Sequence, residues 1–202
     1  MTCSNSTHSN IPGGSHPLYH LRLATMEDAY EIWSVMDTCY QALEQKEYFI
    51  CDDLGYVKEI LQGQGFGVVA CQSSGQIVGN LLVKYPGITA ENLGYDVFRK
   101  DDISFHPSSL PLPFLTENNL NRVLHMDSAS VLPSHRGHRL EGQMIAFAET
   151  LVDTSQYYYS FATVAPDNTA SLKSLERNGY QVMVTKEKYA GLIRCVMMKK
   201  LI

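Results

Sequence analysis

The sequence lacks several features that would assign a protein to a broad class. No apolar run approaches the ~20 residues that a membrane-spanning helix needs. Residues 1–17 contain no basic segment followed by an apolar one, so they do not resemble a secretory signal and are predicted to form a disordered polar tail. The five cysteines are widely spaced and include no CxxC pair, which argues against a disulfide framework or a zinc site and favours a reducing cytoplasm. We therefore expect a cytoplasmic protein without a metal site.

Two common phosphate-binding signatures are also missing. The chain contains neither GxGxxG, which is typical of dinucleotide-binding proteins, nor the GK[ST] of nucleotide-binding P-loops. Its formal net charge is −5, whereas nucleic-acid-binding proteins usually have a basic surface. We expect neither a nucleic-acid nor a membrane partner, and the charge is compatible with a cationic substrate such as an amine.

The pattern of apolar residues predicts a single α/β (α+β) domain over residues 18–202. Alternation and helical spacing indicate, in order, a strand, two helices, three strands, a helix, a strand, a helix and two strands. Such an order favours a mixed sheet with helices on both faces. Residues 87–121 include three prolines within seven residues and are predicted to be an irregular insertion that could line an acceptor site.

The segment "VLPSHRGHRLEGQMI", residues 131–145, predicts an anion-binding turn between a strand and a helix that starts near Arg139. The first turn of a helix leaves N–H groups unpaired, and Gly137 allows the chain to turn tightly before it. We expect the side chain of Glu141 to point to solvent, away from an anion. The segment is equally compatible with an ordinary strand–turn–helix joint that has a solvated basic patch. The predicted cradle consists of Arg136, Gly137, His138, Arg139, Leu140, Glu141 and Gly142.

Three features in this order resemble the GNAT superfamily of acyl-CoA-dependent N-acetyltransferases. The segment 131–145 resembles the family motif [QR]xxGx[GA], and the closing hairpin follows as in that family. The segment "VAPDNTASLKSLERNGY" resembles N-x-x-[AS]…G-[FY], with Asn168, Ser171, Gly179 and Tyr180 at the motif positions. The resemblance implies a mixed, mostly antiparallel sheet of about seven strands, flanked by helices on both faces and splayed between the fourth and fifth strands.

The resemblance also implies acetyl-CoA as co-substrate and a primary amine of a small molecule or peptide as acceptor. The pantetheine arm would bond to the main chain of Ala129, Ser130 and Val131, and the pyrophosphate would lie on the predicted cradle. Asn168 would contact the pantetheine arm and would also suit the N-cap of the last helix, and Ser171 would also bind the cofactor.

This sequence departs from the family pattern at three positions. Arg139 stands where the family usually has glycine, and it would either crowd the pyrophosphate or reach a phosphate. Glu141 stands where glycine or alanine is usual, and Leu175 replaces a tyrosine that protonates the departing CoA thiolate in many members. A CoA-binding module without catalysis, and a transferase that uses another acyl-CoA, therefore remain alternatives.

Candidate catalytic groups lie in the predicted strand "VLHMDSAS" and in the strand that follows the helix. Alternation predicts His125 and Asp127 on one face, where they could accept a proton or form a structural pair, and Leu124, Met126 and Ser128 on the other. Tyr159 could replace the missing tyrosine as an acid or could pack in the core. The exposed strand of the closing hairpin could pair between chains to form a homodimer.

Overall fold

The computed structural model describes residues 18–86, 121–189 and 191–201. The predicted disordered tail and nearly all of the predicted insertion lie outside the described residues. The strands are β1 (Tyr19–Leu23), β2 (Gly65–Gln72), β3 (Ile77–Lys84), β4 (Val123–Val131), β5 (Tyr159–Val164), β6 (Gln181–Lys188) and β7 (Leu192–Lys200). The helices are α1 (Ala29–Gln41), α2 (Leu54–Glu59), α3 (Leu140–Thr150) and α4 (Thr169–Arg177). This is the order of elements that the sequence predicts.

The seven strands form one mixed sheet in the order β1-β2-β3-β4-β5-β7-β6. Every neighbouring pair is antiparallel except β4 and β5, which are parallel. Helices α3 and α4 cover one face of the sheet and α1 and α2 cover the other, each over its own apolar cluster. The predicted mostly antiparallel architecture is confirmed. Strand β6 forms one edge, so the exposed strand of the closing hairpin is available for pairing, and a homodimer stays a prediction.

Strands β4 and β5 separate after a short paired stretch. Their ladder ends at the pair His125–Phe161, although β4 continues to Val131 and β5 to Val164. The predicted splay between the fourth and fifth strands is therefore confirmed. It leaves one side of the main chain of β4 without a strand partner over its second half.

A β-bulge lies in β4 where the two strands begin to separate. Leu82 of β3 pairs with Ser128, whereas the next residue, Val83, pairs with Met126, so Asp127 is the extra residue. Because the bulge shifts the alternation by one position, Ser128 lies on the α1/α2 face, opposite to Met126. The predicted placement of Ser128 on the face of Met126 was wrong for this reason.

Local signals account for where the first helical segments begin and end. The Thr25 main-chain N–H donates to Asp28 Oδ2 at 2.7 Å, and Arg22 bonds to the same carboxylate, which fixes the chain before α1. The second helix was predicted as one segment that ends at Gly63. The structure has α2 followed by a wider turn over residues 60–64, in which Gly63 has φ +127°.

No helix among the described residues is long and apolar enough to cross a membrane.

Candidate active site

A cavity of about 640 Å³ occupies the gap between β4 and β5. Its walls are the separated halves of the two strands, residues 126–127, 129–131 and 162–164, and one end is lined by the turn before α3 and by α4. The cavity therefore lies where the sequence predicts the cofactor to bind. The predicted cofactor residues that line it are Ala129, Ser130, Val131, Arg136, Gly137, Arg139, Leu140, Glu141, Asn168 and Ser171.

The main chain of β4 has donors that point into this gap. The N–H of Leu132 donates to the carbonyl of Val78 in β3 at 2.9 Å. Because main-chain groups alternate in direction along an antiparallel strand, the N–H groups of Ala129 and Val131 point away from β3 and into the gap. By the same alternation the main chain of Ser130 is directed at β3, so only its side chain is available to the cavity. The hydroxyl of Ser130 is buried and has no hydrogen-bond partner among the described residues.

The turn before α3 has the backbone shape of an anion site. Gly137 has φ +86°, and Arg139 adopts the left-handed conformation with φ 58° and ψ 27°. The first main-chain bond of the helix runs from the N–H of Gln143 to the carbonyl of Arg139 at 3.1 Å. The three preceding N–H groups, those of residues 140–142, are thus left at the positive end of the helix dipole, facing the cavity end.

The left-handed conformation of Arg139 explains the glycine that the GNAT motif has at this position. A residue with a Cβ strains the chain there by about 1–2 kcal/mol, and glycine does not. The helix begins at Leu140, one residue after the predicted start, because Arg139 is its N-cap. The side chain of Arg139 is exposed and lines the cavity. The arginine therefore brings a positive charge to the cavity in addition to the backbone strain.

Two predicted cradle residues, His138 and Gly142, do not line the cavity. The ring of His138 packs on Tyr19, with 5.2 Å between the centroids, and so lies away from the cavity. A Cβ at Gly142 would lie 3.2 Å from the side-chain amide of Asn178, so glycine allows the close packing of α3 beside the end of α4. Neither residue is among the described lining residues of the cavity.

The expected exposure of Glu141 was wrong. Its carboxylate accepts a hydrogen bond of 2.5 Å from the hydroxyl of Ser171, because α4 packs over the first turn of α3. Burial raises the pKa of Glu141, and the bond from Ser171 only partly offsets this effect. The predicted cap of α4 is confirmed: Asn168 Oδ1 accepts the N–H of Ser171 at 3.3 Å while Asn168 also lines the cavity.

A second cavity, of about 270 Å³, opens on the α1/α2 face of the sheet. The two cavities share four lining residues, Tyr48, Phe49, Asp127 and Thr163. They therefore meet at the bulge in β4, where the two strands begin to separate. A molecule in the second cavity would approach the end of a cofactor that lies in the first.

The predicted pair of His125 and Asp127 lies at this junction. His125 Nδ1 is 3.2 Å from Asp127 Oδ1, and Tyr56 donates its hydroxyl to Asp127 Oδ2 at 2.7 Å. Burial alone would favour the neutral acid, but the bond and charge of His125, together with Tyr56 and Lys84, hold the pKa of Asp127 below its ordinary value. Asp127 is therefore an anion near neutral pH, and His125 and Tyr56 fix its orientation.

Asp52 is a further carboxylate in the second cavity that the sequence reasoning missed. Burial and the nearby charge of Asp127 raise the pKa of Asp52 to about 6. No local motif marks this residue, because it lies in the loop before α2 and reaches the site only when α2 packs against the sheet. Two carboxylates with pKa values shifted in opposite directions are typical of an acid–base site.

Two positions, Tyr159 and Leu175, concern the protonation of the leaving group. Tyr159 is 4% exposed and packs in a cluster with Val123 and Phe161, and it is not among the described residues that line either cavity. Leu175 is 3% exposed and lines the gap, so an apolar side chain stands where many GNAT members have a tyrosine. Within the described residues, Tyr48 is instead the tyrosine that lines both cavities.

No protein-family model matches the chain, and no curated protein matches it. Many solved structures do. A Salmonella typhimurium protein assigned as an acetyltransferase, solved with its cofactor acetyl-CoA, is 14% identical, with 91% of this chain and 94% of that chain covered and a TM-score of 0.63. Chaetomium thermophilum Naa20, solved with a bisubstrate analogue, is 16% identical, with 90% and 86% covered and a TM-score of 0.61. A GNAT-family acetyltransferase from Listeria monocytogenes is 15% identical, with 90% and 94% covered and a TM-score of 0.58. The chain therefore has the fold of the GNAT acetyltransferases.

Proposed function

We propose that the protein transfers an acetyl group from acetyl-CoA to a primary amine of a small molecule or peptide. One observation carries this proposal: the gap between β4 and β5 runs from an anion cradle at one end to a cavity lined by two carboxylates at the other. The solved relatives that contain acetyl-CoA and a bisubstrate analogue support it.

The residues present fit the chemical groups of CoA. The N–H groups at the start of α3, with the side chains of Arg136 and Arg139, would hold the pyrophosphate. The main chain of Ala129 and Val131 would bond the amides of the pantetheine arm in the manner of an added strand, and Asn168 would contact the same arm. The thioester would then lie at the junction of the two cavities.

The amine would enter through the second cavity and attack the thioester carbonyl carbon. Asp127, an anion fixed by His125 and Tyr56, attracts the ammonium form, and His125 acts as a positioning residue for that carboxylate. Asp52, with a pKa of about 6, accepts the proton that the nitrogen must lose, because an alkyl ammonium with a pKa near ~10 is not a nucleophile. A main-chain N–H of β4 that points into the gap, at Ala129 or Val131, stabilises the negative carbonyl oxygen.

The transfer ends when the C–S bond breaks and the amide forms. The CoA thiol has an ordinary pKa near ~8.5, so the thiolate is a moderate leaving group even without an acid. Leu175 has no proton to donate, and we assign the donor role to Tyr48, which lines both cavities at their junction. A variant Tyr48→Phe tests this assignment, since it should lower the rate of thiol release and leave acetyl-CoA affinity unchanged.

The first experiment measures thermal shift and calorimetric titration with acetyl-CoA, CoA and desulfo-CoA, followed by thiol release with a panel of amines. A ligand at 100 times its Kd should stabilise the fold by roughly 2.7 kcal/mol. Binding together with thiol release supports the proposal. Binding without thiol release from any amine would indicate a CoA-binding module, and a faster reaction with a longer acyl-CoA would change the donor. No shift at millimolar ligand would refute the cofactor assignment.

A further inference from the structure

Arg194 is a buried cation that forms no ion pair with a carboxylate among the described residues. It lies in β7, is 4% exposed, and donates to the main-chain oxygens of Ile193, at 3.0 Å, and Glu47. No ion pair within the described part of the chain includes it. A buried charge without an opposite charge is unfavourable, and burial accordingly lowers the pKa of Arg194. Its two bonds go to neutral carbonyl groups, and the charges of Tyr189 and Glu47 offset the effect of burial on its pKa only in part.

This guanidinium lines the second cavity, opposite the two carboxylates. Asp127 comes from β4 and Asp52 from the loop before α2, whereas Arg194 comes from β7. Strand β5 lies between β4 and β7, and β4 separates from β5 beyond His125, so the backbones that carry the opposite charges are at least two strand spacings, roughly 10 Å, apart.

Aromatic side chains form a large part of the remaining walls of the cavity. Tyr48, Phe49, Tyr56 and Tyr189 line it, and its volume of about 270 Å³ is that of a site for a small molecule rather than for a folded partner. Lys84 also lines the cavity, but it lies on the acidic side: it pairs with His125 across the strands, and its ammonium is 5.5 Å from the centroid of the Tyr56 ring. Arg194 is thus the cation that faces the carboxylates across the cavity.

We infer that the acceptor is a free amino acid, bound with its ammonium towards Asp52 and Asp127 and its carboxylate on Arg194. A guanidinium binds a carboxylate through parallel N–H donors, and a buried one is already held in place and stripped of water. A plain amine or a peptide N-terminus has no carboxylate there and would leave the buried charge unpaired. This inference rests on the proposed function, since it names the acceptor class of the same transfer.

Matched pairs of acceptors test the inference without any variant. Thiol release from acetyl-CoA is measured with each of the twenty amino acids, and with amines that differ from them only by the carboxylate, such as phenethylamine beside L-phenylalanine and 3-methylbutylamine beside L-leucine. The amides of the same amino acids form a third series. A site built around a charged hydrogen bond should prefer the free acid by roughly 100-fold or more in kcat/KM.

Substitution of Arg194 assigns the preference to this side chain. Arg194→Gln should raise KM for the preferred amino acid by roughly 100-fold and should change kcat/KM for the matched amine by less than about three-fold. Arg194→Lys, which keeps the positive charge, should raise KM for the amino acid less than Arg194→Gln does. Arg122→Gln is the matched control, because Arg122 lies over the Tyr158 ring and is not among the described lining residues of either cavity. Acetyl-CoA affinity and melting temperature, measured on each variant, show that it is folded.

The outcomes separate this inference from the proposed function. Efficient acetylation of the matched amines or amides, at rates equal to those of the free acids, would overturn the amino-acid assignment and leave acetyl transfer intact. A preference that survives Arg194→Gln would overturn the role of this residue. If acetyl-CoA does not bind, or if no amine of any series releases thiol, the proposed function fails and the acceptor assignment fails with it. If Arg194→Gln does not fold, the comparison of matched acceptors on the unaltered protein still decides.

Discussion

Replacement of Arg139 by glycine has two effects that can be measured separately: it relieves the backbone strain of the cradle, and it removes a positive charge from it. The left-handed conformation costs a residue with a Cβ about 1–2 kcal/mol. Glycine avoids this strain but loses about 0.5–1 kcal/mol more chain entropy on folding. The free energy of unfolding of Arg139→Gly should therefore stay equal or rise by up to about 1.5 kcal/mol. For a chain of this length the melting temperature should rise by no more than about 6 °C.

The same change should weaken CoA binding. A charged hydrogen bond is worth about 1.5–3 kcal/mol, and the lower value applies because the Arg139 side chain is exposed. We therefore expect Kd for CoA to rise about ten-fold. Arg139→Ala should weaken CoA equally but should unfold more easily than Arg139→Gly by about 1 kcal/mol, because alanine keeps the strained Cβ.

Calorimetric titration with CoA and with pantetheine, which carries no phosphate, distinguishes the two explanations of any loss. If Arg139 binds a phosphate, its replacement by glycine weakens only CoA. Equal weakening of both ligands would mean that the turn itself has changed shape. An unchanged or tighter CoA complex would refute the reasoning, and would show that the arginine crowds the pyrophosphate.

Three further predictions concern buried polar groups. Asp52→Asn should lower kcat/KM by about 100-fold. The unaltered protein should lose activity as the pH drops through about 6, where the Asp52 carboxyl becomes protonated, and a pH–rate profile of the variant should not show this loss. Glu141→Gln should tighten CoA binding roughly five-fold, about 1 kcal/mol, because it removes a carboxylate beside the cradle. The glutamine retains a hydrogen-bond partner for Ser171, and weaker CoA binding in calorimetry would contradict this prediction. Tyr180→Phe should lower the free energy of unfolding by about 1–2 kcal/mol, because the Tyr180 hydroxyl donates to Ser160 Oγ at 2.6 Å in the core. The double variant with Ser160→Ala should recover most of that loss in a thermal unfolding experiment.

Much of the fold could be predicted because its signals are local. The apolar, β-branched run "GFGVVACQ", residues 65–72, predicts a strand at the bounds that the structure has, because the run ends at a turn. Gly137 and Gly63 were recognised as turn positions because glycine adopts positive φ without strain. Asn168 was recognised as a cap because the side-chain oxygen of an asparagine accepts an N–H two or three residues further along the chain.

The sequence by itself thus determined the order of the elements, the glycine turn before α3 and the placement of His125 beside Asp127. Only the tertiary structure decided which distant groups share a cavity. Tyr56 bonds to Asp127 across 71 positions of the chain, and Asp52 and Arg194 line the same cavity only because α2 and β7 pack around the splayed strands. Even the face on which Ser128 lies depends on a bulge, which is fixed by the pairing of β4 with β3. The physical reason is that hydrophobic spacing and turn residues fix local backbone shape, whereas burial, charge and pKa depend on packing between elements that no local pattern records.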